Sequence, residues 1–232
     1  SGSHRGDFVE GNAHGLAIAA LALAEGGHTD DAREALKKLE AVWSDHNQSQ
    51  SSADLALAAL AYQSVDPAGR TNAAALMGRI WASRQRLGQL TAWPAYALRV
   101  QPNAAAGSAI AQDVPDVEAT AWILTAAQEI TPSDKRIDAV ARWLMANRSG
   151  DHWGAPSNTA LTVMALTRYL AQSHEMQPLC DAQVLINGKT VNTTHFGPES
   201  IDRPDVVLDI PASGLSAGQN TVRIQKTGQG RL

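Results

Sequence analysis

The sequence predicts a mainly α fold of stacked helical hairpins, followed by a small antiparallel β module. Three observations carry this. An Ala/Leu-rich unit occurs four times, at Leu16–Leu23, Leu55–Tyr62, Thr120–Ala127 and Thr159–Leu166. The copies are spaced in a pattern: Leu21 to Leu60 and Ala127 to Leu166 are both steps of 39 residues, while Leu60 to Ala127 is a step of 67. A recurrence of this length marks units that bury their apolar faces only by stacking on neighbours. After about Gln172 the helical pattern gives way to strand-like sequence.

The elements follow in order. Helix one is predicted over Asn12–Glu25, with Leu16, Ala19, Ala20 and Leu23 at helical spacing and Gly26-Gly27 as its stop. Thr29 is positioned to cap helix two, and Asp30 and Asp31 suit its positive N-terminal end. Helix three is placed at Ala53–Ser64. Asp66-Pro67 opens helix four, which carries Leu76, Ile80 and Leu87 and ends near Gly88. The longer middle step predicts an inserted β-hairpin, with strands at Ala95–Val100 and Ala109–Asp113. Helix five is expected over Val117–Ile130, helix six over Ser133–Asn147 and helix seven over Ser157–Gln172. Strands are predicted at Gln183–Ile186, Lys189–Val191, Val206–Ile210 and Thr221–Gln225, with Asn187-Gly188 as a hairpin turn. The division is therefore a helical part, residues 1–175, and a β part, residues 176–232.

Composition narrows the function. The chain has 232 residues, enough to bury roughly 70% of its unfolded surface in a core. Its single cysteine, Cys180, excludes an internal disulfide framework. A net charge of −4 with no basic stripe argues against nucleic acid as the main partner. The longest apolar run, Leu16–Ala24, is too short to span a bilayer. Ser1-Gly2-Ser3-His4 looks like a cloning remnant, so the chain is expected to be a piece of something larger.

Few residues suggest chemistry. The seven histidines, at 4, 14, 28, 46, 152, 174 and 195, form no His-Glu-Xaa-Xaa-His pair. His28-Thr29-Asp30-Asp31 has metal-ligand residue types but reads better as a helix start. Asp113, Asp116 and Glu118 cluster before helix five. Paired carboxylates can do acid–base work, but carboxylates at a helix start are more often caps. Trp43, Trp81, Trp122 and Trp143 fall on predicted helices, and Trp93 and Trp153 on loops. They suit an aromatic-lined cavity for a terpenoid or sugar, though core packing is the commoner use of such area. Arg5-Gly6-Asp7 is a chance tripeptide beside the remnant. Asn47, Asn147 and Asn192 lie in glycosylation sequons that matter only on a eukaryotic secretory route. Cys180-Asp-Ala-Gln183 has the spacing for an internal thioester but sits at the junction into the β part, so a structural thiol is expected. No nucleophile elbow, phosphate loop or dinucleotide fingerprint occurs.

Asp116-Val-Glu-Ala-Thr-Ala-Trp122, Arg142-Trp-Leu, Asn147-Arg, Trp153-Gly, Asn158-Thr-Ala-Leu and Ala165-Leu-Thr-Arg-Tyr169 come in that order. Val184–Thr190, Leu208-Asp-Ile-Pro211, Gly218-Gln-Asn-Thr-Val-Arg-Ile224 and Gly228-Gln-Gly-Arg-Leu232 follow. The first block resembles the later part of the thioester-type helical domain of bacterial alpha-2-macroglobulin-like proteins. The second resembles the CUB-type β segment that follows it. The resemblance implies a partial α/α toroid of helical hairpins with the inserted hairpin, then an incomplete CUB-like β module.

It further implies part of an extracytoplasmic endopeptidase inhibitor, periplasmic or extracellular, that encloses proteases after a bait region is cut. Its partners would be those proteases, together with upstream domains and complementary β-strands of the same protein, and any membrane anchoring would come from regions outside this sequence. The chain departs from the family in lacking Cys-Xaa-Glu-Gln, so no catalytic, cofactor-binding or metal residue carries over and the chain is expected not to be an enzyme. Two other readings stand beside this one. One is an α/α-toroid enzyme, terpene cyclase-like or polysaccharide-degrading; the other is a helical repeat module that binds a protein partner.

Overall fold

Asn12 opens the first helix. Its backbone is extended, and its Oδ1 accepts hydrogen bonds from the amides of His14 (3.1 Å) and Gly15 (3.4 Å), two of the donors that a helix start leaves free. The computed structural model describes residues 12–44, 50–65, 69–98, 114–173, 179–200 and 206–229. Among them are seven α-helices: α1 (Ala13–Glu25), α2 (Thr29–Ser44), α3 (Ser52–Val65), α4 (Gly69–Ala82), α5 (Val117–Ile130), α6 (Ile137–Ala146) and α7 (Pro156–Ser173). The fold is mainly α. The chain divides into two compact units, Ser1–Leu166 and Thr167–Leu232.

In the first unit, α1 packs on α2, α3 on α4 and α5 on α6, as consecutive hairpins. Helix α3 also lies between α1 and α5. Every residue from Ser52 to Ala61 is buried, because a helix that is apolar on all sides finds neighbours on all sides. Alanines at 53, 56, 58, 59 and 61 keep the helix thin, and Leu55, Leu57 and Leu60 fill the space between helices. Each such leucine contributes about 1.5–3 kcal/mol by leaving water.

The insertion differs from the sequence expectation. Helix α4 ends at Ala82, and β2 (Gln85–Leu87) pairs antiparallel with β3 (Leu90–Ala92). Gly88, at φ +65°, supplies the left-handed turn between them. Leu87 therefore lies exposed on a strand rather than on the apolar face of helix four. Downstream, β4 (Tyr96–Leu98) pairs with β1 (Gln50–Ser51) just ahead of α3; the predicted partner strand Ala109–Asp113 lies outside the described residues, as does Asp66-Pro67. Helix α6 also starts later than Ser133. The Asp134 side chain accepts from the Arg136 amide at 2.9 Å, forming a local turn that delays the helix to Ile137.

In the second unit, a three-stranded antiparallel sheet has the order β6 (Lys189–Phe196), β5 (Leu179–Ile186), β7 (Val222–Gln229). Asn187 and Gly188 both adopt positive φ in the β5–β6 turn, as the sequence predicts. The Asn187 side chain also accepts from the Thr221 amide (2.9 Å) and donates to Asn220 Oδ1 (2.7 Å), fixing the start of β7 against the turn. The predicted strand Val206–Ile210 is not a strand: these residues form no ladder, and Val206, Val207 and Leu208 are exposed. Strand composition expresses itself only where a partner edge is present. No helix among the described residues is long and apolar enough to cross a membrane.

Candidate functional site

The first turns of α1, α3 and α5 bring together a titratable cluster. His14, Asp54 and Glu118 each sit in the opening turn of their helix. His14 Nδ1 lies 2.6 Å from Asp54 Oδ1, and its Nε2 lies 4.0 Å from Glu118 Oε1. Asp54 is buried, whereas His14 and Glu118 are half exposed. Burial pushes the Asp54 carboxyl above its ordinary range, and the His14 hydrogen bond opposes that shift. With Asp54 ionised, His14 donates through Nδ1, which leaves Nε2 turned toward Glu118. The hydrogen bond links α1 to α3 at one end, with Glu118 of α5 4.0 Å away on the other side of the imidazole.

Sequence reasoning found only part of this cluster. Glu118 was a candidate; His14 was one of seven scattered histidines, and Asp54 was not singled out. The signal was available in the repeat. His14 and Glu118 stand two residues before the copies that begin at Leu16 and Thr120, and Asp54 stands one before Leu55. Asp116 is a cap: its carboxylate accepts from the Ala119 amide at 2.7 Å. Asp113 lies outside the described residues. No grouping of three metal-ligating side chains occurs among the described residues.

A second feature unites the tryptophans. Trp93 is completely buried; its Nε1 donates to the Ile80 carbonyl (2.6 Å) and its amide to Thr120 Oγ1 (3.2 Å). Trp153 repeats this, with Nε1 donating to the Leu144 carbonyl (2.6 Å) and its amide to Thr159 Oγ1 (3.0 Å). Ile80 and Leu144 are each two residues from the end of α4 and α6, and Thr120 and Thr159 are each the fourth residue of α5 and α7. The tryptophan thus staples the end of one helix to the start of the next, twice. Trp81 packs against Trp93 with ring centroids 5.2 Å apart and planes tilted by 59°, and the Arg136 guanidinium covers Trp81 at 4.0 Å. Trp143 is buried, and Trp43 and Trp122 are half-buried.

The remaining motifs resolve into structure. His28-Thr29-Asp30-Asp31 starts α2: the His28 carbonyl accepts from the Ala32 amide at 2.9 Å and Asp30 pairs with Arg33 at 2.6 Å. Cys180 is a buried free thiol on β5. Gln183 stands three residues along the same strand, and an odd separation points two side chains to opposite faces, which separates the amide from the sulfur. Asp181, on the exposed face, pairs with His195 at 2.8 Å. His152 accepts from the Gly154 amide at 3.0 Å. Asn147 donates to the Trp143 carbonyl at 2.9 Å, and Asn192 donates to Thr194 Oγ1 at 2.8 Å. His4, His46, His174, Asn47 and the Arg5-Gly6-Asp7 tripeptide lie outside the described residues.

Compared with known proteins, the chain matches no family model and no curated sequence.

Proposed function

We propose that this chain is the later helical part and following β segment of a bacterial alpha-2-macroglobulin-like protease inhibitor. In that reading the helical hairpins belong to an α/α toroid and the sheet belongs to a CUB-like module. The chain's role is to scaffold and cover a trapped protease, not to turn over a substrate. The work is extracytoplasmic, periplasmic or extracellular, and the partners are the trapped protease and upstream domains of the same protein.

One observation carries the reading: the ordered run of motifs from Asp116 to Tyr169, then from Val184 to Leu232. The duplicated tryptophan staple supports it, because it makes the helical hairpins copies of one unit, as a toroid requires. The strand placement of Cys180 and Gln183 agrees with a chain that carries no thioester of its own.

Reading the complete gene tests the proposal. It predicts a much larger exported product with β-sandwich domains upstream; an open reading frame close to 232 residues overturns it. The intact mass of that product with and without methylamine then decides whether a thioester lies upstream. A thioester takes up one amine and releases one thiol.

A further inference from the structure

Strand β7 closes one side of the sheet. It pairs with β5 along its whole length, and among the described residues no strand pairs with its other edge. Every second residue of such an edge turns its N–H and C=O away from the sheet, which makes it a template for a further strand. β7 holds no proline and its ladder with β5 runs without a bulge, so two common devices for blunting an edge are missing from it. Val222 and Ile224 are each 65% exposed on it. The same unit carries a strand-like segment that pairs with nothing. Val206–Ile210 forms no ladder, and Val206, Val207 and Leu208 are exposed.

The segment matches the edge in phase and in charge. Val222 and Ile224 lie opposite Ile186 and Val184, on the apolar face of the sheet, and Arg223 points to the other face. An antiparallel register with Leu208 opposite Ile224 also sets Ile210 opposite Val222, which extends the apolar face by one strand. The same register sets Asp209 opposite Arg223. A slip of two residues would set Asp209 opposite Thr221 or Gln225 instead, so the charge pair picks one register. β7 carries Arg223 and Lys226 and no acid, which favours a strand with a carboxylate over a second β7. Within one chain the segment stays off its own β7 because the connection between them is tied down. Residues Ala212–Gly214 form a 3-10 turn. The Asn220 side chain accepts from the Ser216 amide (2.8 Å) and from Asn187 (2.7 Å), and donates to the Ser216 carbonyl (3.0 Å). A second copy is free of that restraint.

We propose that Val206–Ile210 of one copy adds as a fourth strand to the β7 edge of a second copy, and reciprocally, so that the chain dimerises by strand exchange. The inference is independent of the protease-trap reading. Sedimentation equilibrium of the chain tests it. A dimer is expected with a dissociation constant on the order of 10 μM. Leu208→Pro removes an N–H from a segment that forms no ladder in the single chain. It is expected to be monomeric and to keep the melting transition of the dilute wild type. Asp209→Arg and Arg223→Asp each place like charges opposite one another, twice per dimer, and each is expected to weaken dimerisation by about tenfold. Mixing these two variants in equal amounts is expected to restore it, because each segment then meets an edge of opposite charge. Pairing within one chain would gain nothing from mixing. Three results would overturn the proposal: a wild type that stays monomeric up to about 200 μM, a Leu208→Pro variant that dimerises like the wild type, or a mixture that associates no better than either charge variant alone.

Discussion

Trp93 and Trp153 occupy the same place in successive helical hairpins. Each donates its indole N–H to a carbonyl two residues from the end of the preceding helix, and its amide to a threonine in the first turn of the next. The two staples are an internal comparison. Thr120→Val and Thr159→Val keep the shape and remove the acceptor from a tryptophan amide. Each is expected to cost about 1–3 kcal/mol, the range for a buried donor left unpaired. Thr120→Val should cost the more, since Thr120 is completely buried. Urea unfolding of both variants checks the order.

The His14–Asp54 pair gives a pH prediction. Burial raises the Asp54 pKa in the folded state, so the folded protein holds that proton more tightly than the unfolded chain does. Asp54's own contribution to stability therefore falls as pH rises from the ordinary carboxylate range through the raised value. Asp54→Asn removes that titration and keeps an acceptor for His14. Relative to the wild type, its stability is expected to improve progressively as pH rises across that window. His14→Ala leaves the buried carboxylate without its partner and is expected to cost about 1–3 kcal/mol at pH 7. Chemical denaturation over a pH series measures both.

Asp134 acts in the opposite direction. Its hydrogen bonds from Arg136 hold its carboxyl below the ordinary range, so its stabilisation is present above the unfolded value and is lost as pH falls through the folded one. Arg136 in turn lies over Trp81, which packs at a tilt against Trp93. Arg136→Leu is expected to cost about 0.5–1 kcal/mol through the lost cation–π contact at an exposed site. Asp134→Asn is expected to destabilise at pH 7 and to match the wild type in acid. Thermal melting at the two pH values separates the effects.

In the sheet, Gly228 has φ +108° and lies opposite Cys180. A Cβ there would come within 2.4 Å of the Leu179 carbonyl oxygen. Gly228→Ala is therefore expected to break the end of the β5–β7 ladder, at a cost of about 1–3 kcal/mol. Hydrogen exchange should show faster amides at the end of β7 and unchanged protection in α3.

Much of this fold was legible in the sequence because its signals are local. Helix α5 occupies the predicted Val117–Ile130 because Asp116 caps it and apolar residues follow at helical spacing. The Asn187-Gly188 turn needs only its own two residues to be recognised. The failures involve either a local turn that overrides the apolar spacing or a partner distant in the chain. Leu87 fits a helical spacing, but Gly88 and the pairing with β3 decide its place. Val206–Ile210 has strand composition without a neighbouring edge. Asp134 diverts the chain through its own side chain before helix six can start. The His14–Asp54 pair joins residues from separate hairpins, and only the phase of the repeat hints at it.

The central claim, that this chain belongs to a protease trap, is tested most directly by a size-selective inhibition assay. The full-length native protein is mixed with trypsin, and hydrolysis of a small chromogenic peptide is followed beside hydrolysis of casein. A trap leaves the active site free and walls it off, so the account predicts that peptide hydrolysis persists while casein hydrolysis is lost. Casein hydrolysis equal to that of free trypsin, or loss of both activities together, would contradict it.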